Sequence, residues 1–343
     1  VSVQLLQNIV LDEAVSREQA AELLRGFASG EIGPELLAAA LTALRIRGES
    51  VQVLLGFVDV LREHMIPVEA AGLAAMDLCG TGGDGQGTVN LSTAAAFVVA
   101  GAGVNVAKHG NHGVSSSTGS ADVLVALGIP AARDSRTAER ALRQFGLGFI
   151  YAPTHHPLFA RIGPVRRQLG FRTAFNLLGP LCNPARVDRQ IIGVPSRDAM
   201  ETLADVLLQM GTERALVVHT PGPYDEVSLT APALGIRVAN GALESLELSP
   251  GIFGAGFVRP DDLRGGDAAF NAARILEVLG GEANGLSEAI CANVACALWI
   301  AGKAGDLREG FARAKESIHT GRALAKLQAL RAFSLEVDRD LAV

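Results

Sequence analysis

Along the first sixty-odd residues apolar positions recur at helical spacing, and after Pro67 they change to short apolar runs separated by amphipathic segments. In the first stretch Ser16 and Gln19 form a capping box ahead of Ala20, Ala21, Leu23 and Leu24; Pro34 opens a second helix running through Leu44, and a third spans about Ser50 to His64. No strand pattern interrupts them, so a small helical bundle is predicted. Beyond Pro67 the runs Met76 to Cys79, Val104 to Ala107, Phe149 to Tyr151, Gln190 to Val194 and Ala215 to His219 predict strands. Helices are predicted at Ser92 to Gly101, Ser120 to Leu127, Arg136 to Phe145, Arg197 to Met210, Asp267 to Leu279, Leu286 to Ala301 and Leu307 to Ser317. This alternation is that of a βα-repeating parallel sheet. Leu158 to Pro184 breaks the rhythm with Arg-rich and Gly/Pro-rich sequence and reads as one or two helices returning to the bundle. The expected fold is α/β. A small N-terminal helical domain covers 1–66, with about 158–185 returning to it, and 74–157 with 186–343 form a larger α/β domain with a mainly parallel central sheet.

The ligands of such sheets sit at the carboxyl ends of the strands, and there the chain carries Asp77-Leu-Cys-Gly80-Thr-Gly82-Gly83-Asp84-Gly85, followed by Asn90-Leu91-Ser92-Thr93. Glycines let backbone N–H groups crowd round an anion. Ser92 or Thr93 then opens an Ala-rich helix whose free N–H groups face the same place. Gly80, Gly82 and Gly85 also satisfy G-x-G-x-x-G, but a dinucleotide-binding unit needs an acid roughly 20 residues on. Here the second strand runs instead into Lys108-His109-Gly110-Asn111. A sugar phosphate or pyrophosphate suits the loop better than NAD.

At 343 residues the chain can bury a large core, and a net charge of −6 argues against nucleic-acid or anionic-membrane binding as its main function. Any anionic ligand must be captured by local cations. The four cysteines form no CxxC pair and no zinc spacing, and no secretory signal is seen, which predicts a reduced, cytoplasmic setting. The most apolar stretches are too short and interrupted to span a membrane.

Further candidates lie at the other strand ends. Lys108, Gly110 and Asn111, with Ser115, Ser116 and Ser120 beyond, form a donor-rich surface for phosphate and ribose oxygens, set against the plainer reading of a polar loop. His109 is either a hydrogen-bonded structural residue or an acid–base group, and His155-His156 lack the spacing of a helical metal site. Asp225-Glu226 after the fifth strand are either solvated or hard oxygen ligands for Mg²⁺. Of Arg166, Arg167 and Arg172, one could clamp a substrate carboxylate, and chemistry alone does not choose among them.

Taken together, GTGGDG (Gly80 to Gly85), NLST (Asn90 to Thr93), KHGN with VSS (Lys108 to Ser116), VRRQLGFRTAFNLLGPLCNP (Val165 to Pro184) and DEVS (Asp225 to Ser228) resemble the anthranilate phosphoribosyltransferases over nearly the whole chain. The resemblance implies transfer of a phosphoribosyl group from 5-phosphoribosyl-1-pyrophosphate to anthranilate in tryptophan biosynthesis, Mg²⁺ dependence, and a homodimer formed largely through the helical domain. It implies that Gly80, Gly83, Asp84, Thr88, Asn90, Leu91, Ser92, Thr93, Lys108 to Ser116 and Ser120 contact the phosphoribosyl substrate. Ser92, Asp225 and Glu226 would serve the metal. Gly80, Asn111 and Arg166 would contact anthranilate, with His109 and Pro180 lining its path. Two departures stand out: His112-Gly113 where the family often has Arg, and Pro223-Tyr224 ahead of the acids. The alternatives are a pyrimidine nucleoside phosphorylase, which shares the architecture, and a non-catalytic nucleic-acid-binding relative, which the acidic charge disfavours.

Overall fold

The computed structural model describes residues 2–11, 14–113, 118–130, 134–222 and 224–341. Ser115 and Ser116, and Pro223 of the second departure, lie outside them. Four helices open the chain: α1 (Ser2–Val10), α2 (Arg17–Ser29), α3 (Pro34–Arg47) and α4 (Val51–His64). The Ser16–Gln19 capping box forms in full at the start of α2, and Ser50 caps α4. Then follow β1 (Met76–Gly80), α5 (Leu91–Gly101), β2 (Val106–Gly110), α6 (Ser120–Ala126), α7 (Ser135–Phe145), β3 (Leu147–Tyr151), α8 (Ala152–His155), α9 (Pro157–Leu169), α10 (Phe175–Leu181), β4 (Arg189–Gly193), α11 (Arg197–Gln209) and β5 (Arg214–His219). The chain closes with β6 (Ala233–Ala239), β7 (Ala242–Leu248), α12 (Pro250–Phe253), α13 (Ala268–Leu279), α14 (Gly285–Ile300), α15 (Leu307–His319) and α16 (Arg322–Leu341).

The strands form one seven-stranded sheet in the order β3-β2-β1-β4-β5-β6-β7. Its first five members are parallel, while β6 and β7 add an antiparallel edge. Strand side chains alternate between two cores. Ile191, Leu216 and Val218 face the cluster built with α5 and α14, whereas Ile192, Val194 and Val217 face one continuous with the N-terminal helices. The second core also takes in Leu158, Ile162, Phe175 and Leu178, so α9 and α10 pack with α3 and α4, where Phe57 stacks on Phe175 at 5.5 Å.

Three differences from the sequence reading have physical causes. Strand β2 extends through Gly110 because β3 continues to pair with it, Lys108 with Phe149 and His109 with Ile150, and because the lysine finds polar partners in the interior. The hairpin β6–β7 turns at Asn240-Gly241, both at positive φ as a tight two-residue turn requires, and was not expected from the chain's α/β rhythm. Nor was α16, whose Leu327, Leu330 and Phe333 cover the outer side of the α5 layer.

The bundle depends on one close crossing. A Cβ at Gly56 of α4 would lie 2.2 Å from the Arg17 carbonyl oxygen and 2.8 Å from the Ala20 Cβ of α2, and the Arg17 guanidinium grips Asp59 through two bonds of 2.6 and 2.7 Å across the same contact. Gly56→Ala is therefore predicted to lose stability. Overpacking costs about 1–3 kcal/mol, against roughly 1 kcal/mol gained from alanine's helix propensity. A thermal melt of the variant at or above the wild-type midpoint would contradict this crossing.

Candidate functional site

The strand order reverses direction between β1 and β4, and such a switch point opens a crevice at the carboxyl ends of the strands. Gly80 and Gly193 end those two strands and pair with each other. Both must lack a side chain: a Cβ at Gly193 would sit 1.6 Å from the Asp225 carbonyl oxygen, and one at Gly80 would sit 2.2 Å from Asp225 Oδ2. The loop after β5 can therefore press its two acids against the sheet. It is held there by Thr220, whose hydroxyl donates to the Glu226 carbonyl at 2.6 Å, and by Asn293 of α14, which exchanges hydrogen bonds of 3.1 and 3.0 Å with the Val227 backbone.

Gly82, Gly83, Gly85 and Gly87 all take positive φ, which curls the loop after β1 round the crevice. The Gly82 N–H donates to Asp225 Oδ2 at 2.7 Å. Helix α5 starts at Leu91 rather than at Ser92 or Thr93, with Asn90 at the cap position making no capping bond. Instead, Asn90 Nδ2 donates to the Thr118 carbonyl at 3.2 Å and its Oδ1 accepts from Asn271 at 3.0 Å, which ties the helix start to the α6 and α13 layers. The Ser92 N–H donates to Glu226 Oε1 at 3.2 Å, so the positive end of α5 meets a carboxylate.

Lys108 projects from β2 under the loop. Its ammonium donates to the Leu78 carbonyl and, at 3.2 Å, to Ser92 Oγ. Beneath it Asp77 is fully buried, accepting from the His109 N–H at 3.2 Å and from Asn183 Nδ2 at 2.8 Å. Burial pushes the Asp77 carboxyl above its ordinary range, and Lys108 and these donors pull it back. The Asp225 and Glu226 carboxyls are also pushed up, first by burial and then by neighbouring acids, Asp84 for Asp225 and Asp225 for Glu226. Neither acid is engaged by the fork of an arginine among the described residues, so the site favours an added cation.

His109 is a different case. Its Nδ1 pairs with the Gly179 carbonyl at 3.1 Å, and its Nε2 is buried with no partner among the described residues. Burial first, then His156, pushes its pKa down to about 3, and His156, whose ring is centred 5.0 Å away, falls to about 4. Burial thus holds both rings in the neutral form and makes His109 a weak base.

The cleft that results has a cavity volume of about 260 Å³. It brings together Gly80, Gly83, Asp84, Thr88, Asn90, Leu91, Ser92, Thr93, Lys108, His109, Gly110, Asn111, Ser120, Asp225 and Glu226. Arg166 and Pro180 do not line it. Pro180 is buried inside α10, its carbonyl occupied by Gln190 Nε2 at 2.8 Å, so any lining at this point of the chain belongs to its neighbours. Arg166 lies in the last turn of α9 on the helical side. Burial and the like charge of Arg172 lower its proton affinity, and among the described residues its guanidinium has no hydrogen-bonding or ionic partner. Sequence reasoning missed Thr220, Asn293, Asn271 and Asn183. For Asn293 a signal existed, a lone amide inside an otherwise apolar helix, which in a packed core must be spending its hydrogen bonds on something.

Comparison with known proteins agrees with this fold. Residues 3–65 match the helical bundle domain of the glycosyl transferase family and residues 73–324 its a/b domain. The anthranilate phosphoribosyltransferase of Bradyrhizobium sp. (strain ORS 278) is 46% identical over 93% of this chain and 95% of its own length, and that of Rubrobacter xylanophilus is 45% identical over 94% of each. The crystal structure of the Thermus thermophilus enzyme of the same name superimposes with a TM-score of 0.90 at 37% identity, covering 96% of this chain and 99% of that one. A Saccharomyces cerevisiae enzyme of that name, in complex with PRPP and Mg, shares the fold at a TM-score of 0.88 and 24% identity, over 98% of both chains. With two full-length bacterial relatives at this identity and both domains matched in order, the chain belongs to the anthranilate phosphoribosyltransferase family.

Proposed function

We propose that this chain transfers the phosphoribosyl group of 5-phosphoribosyl-1-pyrophosphate to the amine of anthranilate, giving N-(5-phosphoribosyl)anthranilate and diphosphate, a step of tryptophan biosynthesis. The observation that carries the reading is the convergence, at the sheet's switch point, of a positive-φ glycine loop, a helix N-terminus and two adjacent carboxylates, one buried and one half-buried. In this reading Gly80, Gly83, Asp84, Thr88, Asn90, Leu91, Thr93, Lys108, Gly110, Asn111 and Ser120 receive the sugar phosphate and diphosphate, and Ser115 and Ser116 join them from outside the described residues. Backbone N–H groups aimed at the departing oxygens need no reorganisation as charge develops.

Asp225, Glu226 and the Ser92 hydroxyl are the residues that would hold Mg²⁺. The donor set fits this ion, which takes one or two protein carboxylates and completes its shell with phosphate oxygens and water. No cluster of three or more His, Cys, Asp or Glu side chains suited to a metal occurs among the described residues, so an ion here would depend on the substrate for part of its shell. Bound there, the ion supplies charge neutralisation for the leaving diphosphate.

Arg166, a half-buried residue whose guanidinium has no partner among the described residues, would take the anthranilate carboxylate and so point the amine at ribose C1. Asn111 and Gly80, which line the cleft, would contact anthranilate as well, and the neutral ring of His109, also in the cleft lining, would offer a wall without charge. A strong base is not needed, because the nitrogen becomes acidic once bonded to C1 and its proton can leave to water or diphosphate. The reading includes a cytoplasmic homodimer formed largely through the helical domain, supported by Val10, Leu11 and Ile46, which are 69%, 68% and 81% exposed on its surface. Among the described residues no helix is long and apolar enough to cross a membrane.

Four outcomes test this. Anthranilate fluorescence should fall on adding phosphoribosyl pyrophosphate with Mg²⁺, with diphosphate released rather than phosphate consumed. Asp225→Asn combined with Glu226→Gln should lower kcat by about 100-fold or more. Its melting temperature should stay equal or rise, because two costly buried charges are removed; wild-type turnover would end the metal assignment. Protons and Mg²⁺ compete for the same raised-pKa oxygens, so the acidic limb of kcat/KM should lie nearer neutrality than an ordinary carboxylate's at low Mg²⁺ and move to lower pH as Mg²⁺ is increased. A limb indifferent to Mg²⁺ would count against the pair. Finally, Arg166→Gln should raise the KM for anthranilate by about 10-fold, the scale of one charge-assisted hydrogen bond, with a smaller effect on the KM of the sugar phosphate. The reverse ordering would place the carboxylate elsewhere.

A further inference from the structure

Arg172 stands in the turn between α9 and α10, a segment that packs with the N-terminal helices, yet its guanidinium reaches into the phosphate loop of the α/β domain. Its Nη1 donates to the Gly82 carbonyl at 2.7 Å. The fit is so close that a Cβ at Gly83 would lie 1.3 Å from Nη1 and 2.4 Å from Cζ. The turn that carries Arg172 is itself fixed, since the Thr173 N–H donates to Asn176 Oδ1 and the Asn176 N–H to the Thr173 carbonyl, both at 2.9 Å. Charges from both sides of the seam act on Arg172: Asp225 and Asp84 from the α/β domain, Arg45 and Glu49 from the helical one. The other cation in its field is Arg166, six residues upstream on the same segment.

Resting on the two subsites read above, we propose that Arg172 is a positioning residue that couples them: its bond to the Gly82 carbonyl ties the diphosphate cradle to the segment carrying Arg166, so that filling either subsite strengthens binding at the other. A ligand gripping the glycine loop fixes Gly82 and Gly83, and through them the guanidinium lying against them. Holding Arg172 holds the C-terminal turn of α9, and with it Arg166. The aromatic carboxylate then meets a cation already in place and loses less freedom on binding. By linkage the effect runs equally in the other direction.

The test uses the whole protein with Mg²⁺ and two probes that cannot react together, anthranilate, followed by its own fluorescence, and inorganic diphosphate. In the wild type diphosphate should tighten anthranilate binding about 5-fold or more, within the usual range of coupling between sites. In Arg172→Gln the factor should fall below about 2-fold, and Arg172→Lys, which keeps a charged donor, should lie between. A side chain that merely stabilised the fold would weaken both ligands without changing the factor. Wild-type coupling retained in Arg172→Gln, or no coupling in the wild type, overturns the proposal. Should Arg172→Gln fail to fold, Arg172→Lys decides alone, reduced coupling supporting the proposal and wild-type coupling overturning it. Wild-type turnover of the full substrates is measured alongside. Turnover without coupling removes this inference only, whereas absence of turnover removes the parent reading and this one with it.

Discussion

The architecture of the site follows from two glycines that meet across β1 and β4. Because Gly80 and Gly193 carry no side chains, Asp225 can lie directly on the strand ends, where a Cβ at position 193 would sit 1.6 Å from its carbonyl oxygen and one at position 80 would sit 2.2 Å from its Oδ2. That contact lets the Gly82 N–H reach Asp225 and the Ser92 N–H reach Glu226. Displace the acidic loop, and the glycine loop loses a hydrogen-bonding partner while the start of α5 loses its carboxylate. The rest of the cleft is arranged round this three-way junction of the β1 loop, the β5 loop and α5.

Burying so many polar groups at one end of a sheet is costly, and the interior compensates locally. Asp77 is countered by Lys108 and Asn183, while the Lys108 ammonium is satisfied by a backbone carbonyl and Ser92. The acids at 225 and 226 are left with raised proton affinity, and the histidines at 109 and 156 with lowered affinity. These opposite shifts have one cause, since burial penalises the charged form of either group. The consequence differs: the acids gain by binding a cation, whereas the imidazoles stay neutral, with His109 lining the cleft and His156 buried behind it.

How much of this could be read from residues alone depended on whether the signal was local. Capping at Ser16, the proline start of α3 and the glycine loop are local patterns with direct physical meaning, and the structure contains all three. The β6–β7 hairpin also had a local signal, Asn240-Gly241, but it lay beyond a parallel rhythm that drew attention to crossover helices. The end of β2 was misplaced because lysine and histidine look unfit for a buried strand until their partners, supplied by Leu78, Ser92 and Gly179, are known. Thr220, Asn293 and Asn183 act through contacts 6, 66 and 76–106 residues away in the chain, and only the last two distances lie beyond local inspection. Arginine roles were the least legible. Arg172 donates to the Gly82 carbonyl whereas the Arg166 guanidinium has no partner among the described residues, and the same residue type in the same segment carries no mark of that difference.

That pair also shows why the segment from α9 to α10 leaves the α/β rhythm. A cleft formed only at the strand ends would be open on the side facing the helical bundle, and a phosphate cradle there would select for anions without selecting an acceptor. Sending a cationic segment out of the sheet, across the bundle and back brings Arg172 against the glycine loop from that side. The excursion is stabilised by apolar packing, Phe57 on Phe175 and the Ile162 and Leu178 contacts, so its arginines are free for tasks at the seam. One of them then points at the cradle's backbone, and the other keeps a charge that no described residue pairs. In the function proposed above, the helical segment adds Arg166 to an acceptor site whose other residues come from the strand ends, the leaving-group residues come from the sheet's loops and the start of α5, and the bond from Arg172 to Gly82 joins the two.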